Sequence, residues 1–133
     1  MAGKYLLGNM LSALHNKHCF YDVPVSVVYS RCCESALCVM KKFGYVSDYV
    51  VKSEGHKKSI DVFVALIDGR KVMNSFKLIS TPGRRVYAKL DKLRRKVSYN
   101  PYALSIVSTS NGVMDIVSAI ENKVGGEVLC EVF

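Results

Sequence analysis

Apolar positions along this chain switch between a period near 3.6 and a period of two, and that switching predicts most of its elements. Leu6, Leu7, Met10, Leu11 and Leu14 fall on one stripe, which predicts a helix over 5–16. Val23 to Tyr29 reads as a strand, with Pro24 suited to its start or to an edge. Ser30 suits the N-cap of a helix from Arg31 to Phe43, with Glu34 near the place of a capping partner and Gly44 as the residue that ends it. Val46 to Lys52 and Ser59 to Ile67 read as two strands joined by a polar turn. The first half is therefore α-β-α-β-β.

Asp68-Gly69 is a hairpin-type turn, after which Val72 to Ile79 reads as a strand. Ser80 to Gly83 predicts another turn, Arg84 to Lys89 a short strand that alternates basic and apolar residues, and Leu90 to Lys96 a short basic helix. Tyr99 to Tyr102 reads as a loop. Ala103 to Val107 then reads as a strand, Ser108 to Met114 as a polar turn, Asp115 to Lys123 as a helix, and Glu127 to Phe133 as the last strand. The expected fold class is α+β, with two small α/β lobes over residues 1–67 and 68–133. The second lobe is expected to be mainly β, with one helix after the Ser-Thr-Ser-Asn-Gly turn.

Half of the 133 residues are hydrophobic, enough for a core, and no linker or low-complexity run interrupts them. No apolar run approaches the roughly 18–20 residues that span a bilayer, and the N-terminal stretch resembles neither a signal peptide nor a transit peptide. No membrane role is expected. Cys19, Cys32, Cys33, Cys38 and Cys130 are odd in number and irregularly spaced. A zinc site from His15, His18, Cys19 and Cys32 or Cys33 lacks the paired C-x-x-C spacing, so reduced thiols in a reducing compartment are the expectation. There is no G-x-S-x-G elbow, phosphate loop, H-E-x-x-H motif or evident carboxylate pair. The chain is expected not to be an enzyme and to need no cofactor, metal or small-molecule substrate.

Charge changes the picture. Residues 68–96 hold ten basic side chains (Arg70, Lys71, Lys77, Arg84, Arg85, Lys89, Lys92, Arg94, Arg95, Lys96) against Asp68 and Asp91, an excess equal to the whole chain's +8. The other residues balance. An excess so localised marks a polyanion partner, most simply a phosphate backbone. The turn Ser108-Thr109-Ser110-Asn111-Gly112 sits at an expected strand-to-helix corner. Such residues ordinarily cap the following helix, yet short donors and acceptors beside a glycine can also bind a ligand close to the backbone.

Three stretches then carry a resemblance. Ser80-Thr81-Pro82-Gly83-Arg84-Arg85-Val86-Tyr87, Ser108 to Met114, and Gly125-Gly126-Glu127-Val128-Leu129-Cys130 occur in the order and spacing of the bacterial-type small-subunit ribosomal protein S-eight family. Met10-Leu11-Ser12, Ser30-Arg31 and Val39 to Val46 resemble it more loosely, so the likeness spans the chain. Departures occur where Asn9, Ala13 and His15 replace an acid and two arginines, and where Asp115-Ile116 shifts the expected cap. These changes suggest a divergent lineage.

The resemblance implies a structural constituent of the small ribosomal subunit, in a mitochondrial matrix or a bacterial cytoplasm, that binds a stem in the central domain of small-subunit rRNA and touches neighbouring ribosomal proteins. It implies that Ser108, Thr109, Ser110 and Asn111 contact base edges, ribose and phosphate, with Gly112 permitting close approach. Arg84, Arg85, Lys89 and Lys92 neutralise phosphate, and Ser30 and Arg31 hold RNA from the first lobe. Tyr87 either stacks on an extruded base or packs in the core. Gly125-Gly126 is expected to be a structural turn near the RNA. An extra-ribosomal translational repressor would use the same surface.

Overall fold

In the computed structural model, residues 6–16, 24–67, 70–99 and 102–133 are described. The apolar stripe of helix α1 (Leu6–Asn16) buries Leu7, Met10, Leu11 and Leu14. Strand β1 (Val25–Val28) and helix α2 (Arg31–Lys42) follow. Helix α2 buries Cys33, Ala36, Leu37 and Met40, four positions on one face. It ends where Gly44 N–H reaches the Lys41 carbonyl and Tyr45 N–H the Met40 carbonyl. Strands β2 (Val46–Glu54) and β3 (Lys57–Val64) form a hairpin, and β3 also pairs antiparallel with β1. Ile60, Val62 and Val64 alternate into the core of this unit, as period two requires.

Two details differ from expectation in this unit. Ser30 occupies the N-cap in extended backbone, but its side chain bonds no helix N–H. Glu34 does not reach back to complete a capping box. Its carboxylate bonds the Tyr29 hydroxyl instead, which holds that phenol above its ordinary pKa. The chain also divides into compact units after Asn74, a little beyond the composition shift at Asp68. The reason is pairing: β4 (Leu66–Ile67) and β5 (Arg70–Lys71) lie antiparallel with Ile67 opposite Arg70, and Val72 N–H returns to the Ala65 carbonyl. Asp68 and Gly69 themselves lie outside the described residues, as do Asn100 and Pro101 of the expected loop.

The second unit contains β6 (Phe76–Leu78), β7 (Tyr87–Ala88), α3 (Leu90–Tyr99), β8 (Leu104–Thr109), β9 (Gly112–Asp115), α4 (Ile116–Glu121) and β10 (Gly126–Val132). The last strand to be made, β10, is central. It pairs antiparallel with β6 and β7 on one side and β8 on the other, and β8 continues into β9. Ala88, Leu93, Val107, Ile116, Ala119 and Val128 form the core between this sheet and the two helices.

The strand expected over Val72 to Ile79 shrinks to Phe76–Leu78 because its neighbours find other partners. Ser75 exchanges both backbone bonds with Phe133, and Ile79 and Ser80 N–H both donate to the Leu129 carbonyl, where β10 bulges. The strand expected from Arg84 to Lys89 shrinks to Tyr87–Ala88, since Thr81 and Arg84 pair with each other instead. The expected short helix extends to Tyr99, and a single helix, α4, follows the Ser-Thr-Ser-Asn-Gly turn as expected. No helix among the described residues is long and apolar enough to cross a membrane.

Candidate nucleic-acid interface

Register aligns the residues that sequence singled out. Glu127 of β10 lies opposite Tyr87 of β7 on one side and Ser108 of β8 on the other, and Ser108 lies opposite Val113. Directly opposed residues in an antiparallel ladder project from the same face. Tyr87, Glu127 and Ser108 therefore form one row, with Tyr87 and Ser108 about 10 Å apart across two strand spacings. Ala88, Val107 and Val128 face the helices, so this row points the other way. Tyr87 is 67% exposed, which removes it from the core.

Ser108 to Met114 is not a strand-to-helix corner. It is the tip of the β8–β9 hairpin, with Thr109 paired to Gly112 across Ser110 and Asn111. The backbone explains the glycine. Gly112 has φ +113 with open space around it, so its conformation and not its lack of bulk is what the tip needs. The Thr109 hydroxyl accepts the Asn111 N–H at 3.2 Å and donates to the Gly112 carbonyl at 2.8 Å. Thr109 thus stiffens the tip from within. Ser110 and Asn111 are exposed at its end, and no side-chain bond ties them to other described residues. Asp115 does the capping, accepting the Ser118 N–H at 3.1 Å and its hydroxyl at 2.7 Å.

A second tip, Pro82-Gly83, is closed by Thr81 N–H to the Arg84 carbonyl at 2.9 Å and the reverse bond at 3.0 Å. Ser80 anchors it. Fully buried, its hydroxyl accepts the Val86 N–H at 2.9 Å and donates to the Val128 carbonyl at 2.7 Å. Arg84 is exposed beside this tip and makes no ion pair among the described residues. Arg85 is held differently, with Nη1 3.2 Å from Glu127 Oε2. That carboxylate is mostly buried, so it offsets the charge of Arg85 and fixes the guanidinium beside Tyr87's row.

Lys89 joins Tyr87, Leu90, Gly125 and Gly126 around a concavity of about 440 Å³. Lys92 lies elsewhere, over the groove between α3 and the sheet. Ser30 and Arg31 begin α2 in the N-terminal unit. The structure adds two residues that sequence reasoning left without a role, Ser80 and Glu127, and gives Gly126, expected only as part of a turn, a place inside β10. All stood inside the motifs, yet their work depends on contacts across the sheet, Ser80 with Val128, Glu127 with Arg85 and Gly126 against Ser108, where no local pattern shows it. Among the described residues no cluster of three potential metal ligands occurs, and His18 and Cys19 lie outside them. Cys33 is buried and Cys38 exposed, each a free thiol.

The family model described as Ribosomal protein S8 matches residues 6–133. The chain is 39% identical over 127 residues to the small ribosomal subunit protein uS8 of Desulfovibrio desulfuricans, covering 96% of both chains. It is 41% identical over 108 residues to the protein of that name from Campylobacter fetus, covering 80% of this chain and 81% of the other. Against the protein of that name from Pelagibacter ubique it is 31% identical over 127 residues, covering 96% and 95%.

Proposed function

The chain belongs to the ribosomal protein S8 family, and from that premise we propose that this structural, non-enzymatic component of the small ribosomal subunit binds a stem of the subunit's rRNA through its C-terminal unit. The row Tyr87–Glu127–Ser108 carries the reading, because it sets an exposed ring and a short hydroxyl on one face beside two rigid tips. A-form RNA offers phosphates, 2′-hydroxyls and a shallow minor groove, which short side chains on a stiff turn can reach.

Roles divide by geometry. Ser108, Ser110 and Asn111 meet ribose and base edges, while Thr109 and Gly112 hold the tip that presents them. Tyr87 stacks on an unpaired base at an irregular part of the stem, worth about 1–3 kcal/mol. Arg84 and Lys89, unpaired among the described residues, neutralise phosphate. Arg85 contributes less net charge because Glu127 shares it, and acts through its fixed position. Ser30 and Arg31 supply further contacts from the N-terminal unit, and Lys92 adds to the long-range field. The compartment is that of a bacterial-type ribosome, in a bacterial cytoplasm or a mitochondrial matrix, with neighbouring ribosomal proteins as the other partners.

The test is sedimentation together with binding. The chain should run with small subunits on a gradient, and it should bind a stem from the central domain of small-subunit rRNA with strong salt dependence. Arg84→Glu should weaken all stems and flatten the salt slope by about one or two, whereas Ser110→Ala should weaken only the cognate stem. A chain that binds the stem yet stays out of the subunit peak would be an extra-ribosomal repressor. Variants that leave affinity and slope untouched would sink the contact assignment.

A further inference from the structure

On the helix-covered face of the C-terminal unit, opposite the Tyr87 row, lies a groove of about 380 Å³. Its floor is Ile79, Val86, Ala88 and Val128, and its rim is Lys92, Arg95, Lys96 and Tyr99 of α3. The rim residues stand at i, i+3, i+4 and i+7, one stripe of the helix. We propose that this groove is a protein-docking site, taking an acidic segment of a neighbouring subunit protein that lays an apolar side chain on the floor.

Two observations choose that occupant. The first is that the floor has nothing to offer a nucleobase. Its side chains are aliphatic, and the backbone groups of Val86 and Val128 and the N–H of Ile79 are already engaged. Val86 N–H donates to the Ser80 hydroxyl, the Val86 carbonyl accepts Val128 N–H at 2.9 Å, and the Val128 carbonyl accepts the Ser80 hydroxyl. The Ile79 N–H is taken by the Leu129 carbonyl. A base placed there would bury its ring-edge donors and acceptors unpaired, a cost that an aliphatic or aromatic side chain avoids.

The second observation is the charge of the rim. Glu131 pairs with Lys96, but Lys92 and Arg95 have no acidic partner among the described residues. Two cations flanking an apolar floor complement carboxylates flanking an apolar anchor. Tyr99, 93% exposed at the end of the stripe, supplies the amphipathic ring that such interfaces favour. Because groove and Tyr87 row lie on opposite faces of one sheet, RNA and protein can be held together.

The test replaces Tyr99 in the full chain with p-benzoylphenylalanine, incorporates it into small subunits, irradiates them and sequences the adduct. The expected product is a peptide of another subunit protein in which carboxylates flank an apolar residue. Its yield per incorporated chain should fall about tenfold with Arg95→Glu, which sets like charges together, and should also fall with Val86→Ala, which shortens the floor. An adduct with RNA, an adduct with a peptide lacking carboxylates, or no adduct overturns the proposal. A chain that never enters subunits counts against the ribosomal reading instead. In that case the purified chain is irradiated with an acetylated peptide alternating glutamate and leucine, and the absence of an adduct overturns the groove on its own.

Discussion

A Cβ atom on Gly126 would lie 2.2 Å from the Ser108 carbonyl oxygen and 2.9 Å from its carbonyl carbon. Both obstacles are backbone, so no side chain can swing aside. Gly125 is constrained in the same way, 2.6 Å from the Ala88 carbonyl oxygen. The paired glycines are thus not a loose turn near the site. They let β10 enter between β7 and β8 closely enough to set Tyr87 and Ser108 on either side of Glu127.

Gly126→Ala should therefore destabilise the chain by about 1–3 kcal/mol, the usual cost of forcing backbone apart. Gly83→Ala serves as the control, since its Cβ meets nothing within 4 Å and should change stability by less than about 0.5 kcal/mol. Urea unfolding of both variants checks this. Equal effects would show that β10 tolerates a wider approach.

Ser80→Ala removes a fully buried hydroxyl that serves the Val86 N–H and the Val128 carbonyl together. Leaving them unpaired should cost about 1–3 kcal/mol. The same loss should free the Pro82-Gly83 tip, which hydrogen exchange at the Val86 amide would report as faster opening. A variant as stable as the parent would mean that water replaces the hydroxyl.

Glu127→Gln should release Arg85 from its partner while preserving shape. Because the pair is partly exposed, folding stability should change by less than about 1 kcal/mol. RNA affinity at low salt should rise, and the salt slope should steepen by about one unit as the freed charge counts in full. Filter binding across a salt series measures both. A fall in affinity would instead make Glu127 a direct RNA contact.

Burial pushes the Cys33 thiol up to about 11, even though the Ser30 hydroxyl favours the thiolate. The neutral form is what the fold prefers. This contribution is fully present below the ordinary cysteine range, near 8.5, and is lost as pH rises toward 11. The stability gap between the parent and Cys33→Ala should therefore narrow over that window. At neutral pH iodoacetamide should label exposed Cys38 well before buried Cys33 in the folded chain, and the two alike in urea.

Much of the fold was legible because its signals are local. The stripe from Leu7 to Leu14, the alternation through Ile60, Val62 and Val64, and the stop at Gly44 each depend on neighbours a few positions away. Local concentration of cations and the three motifs likewise pointed to a polyanion and to a family without any coordinates. The same local reading failed at the Ser108–Met114 turn. Its hydroxyls resemble a helix cap, and only the pairing of Thr109 with Gly112 shows that the chain turns back as a strand before Asp115 starts α4.

What tertiary structure alone decided is which of those residues share a face. Strand pairing with β10 joins residue 87 to 127 and 127 to 108, separations at which sequence period carries no information. Ladder register is a long-range choice made by packing, by the bulge near Leu129 and by the room that Gly125 and Gly126 leave. It also distributed the charge, giving Arg85 a carboxylate, leaving Arg84 and Lys89 without one among the described residues, and turning Lys92 toward a different groove. Sequence determined most of the elements, the excess charge and the family. Pairing determined which candidate residues share a face, because a face is a property of strands side by side.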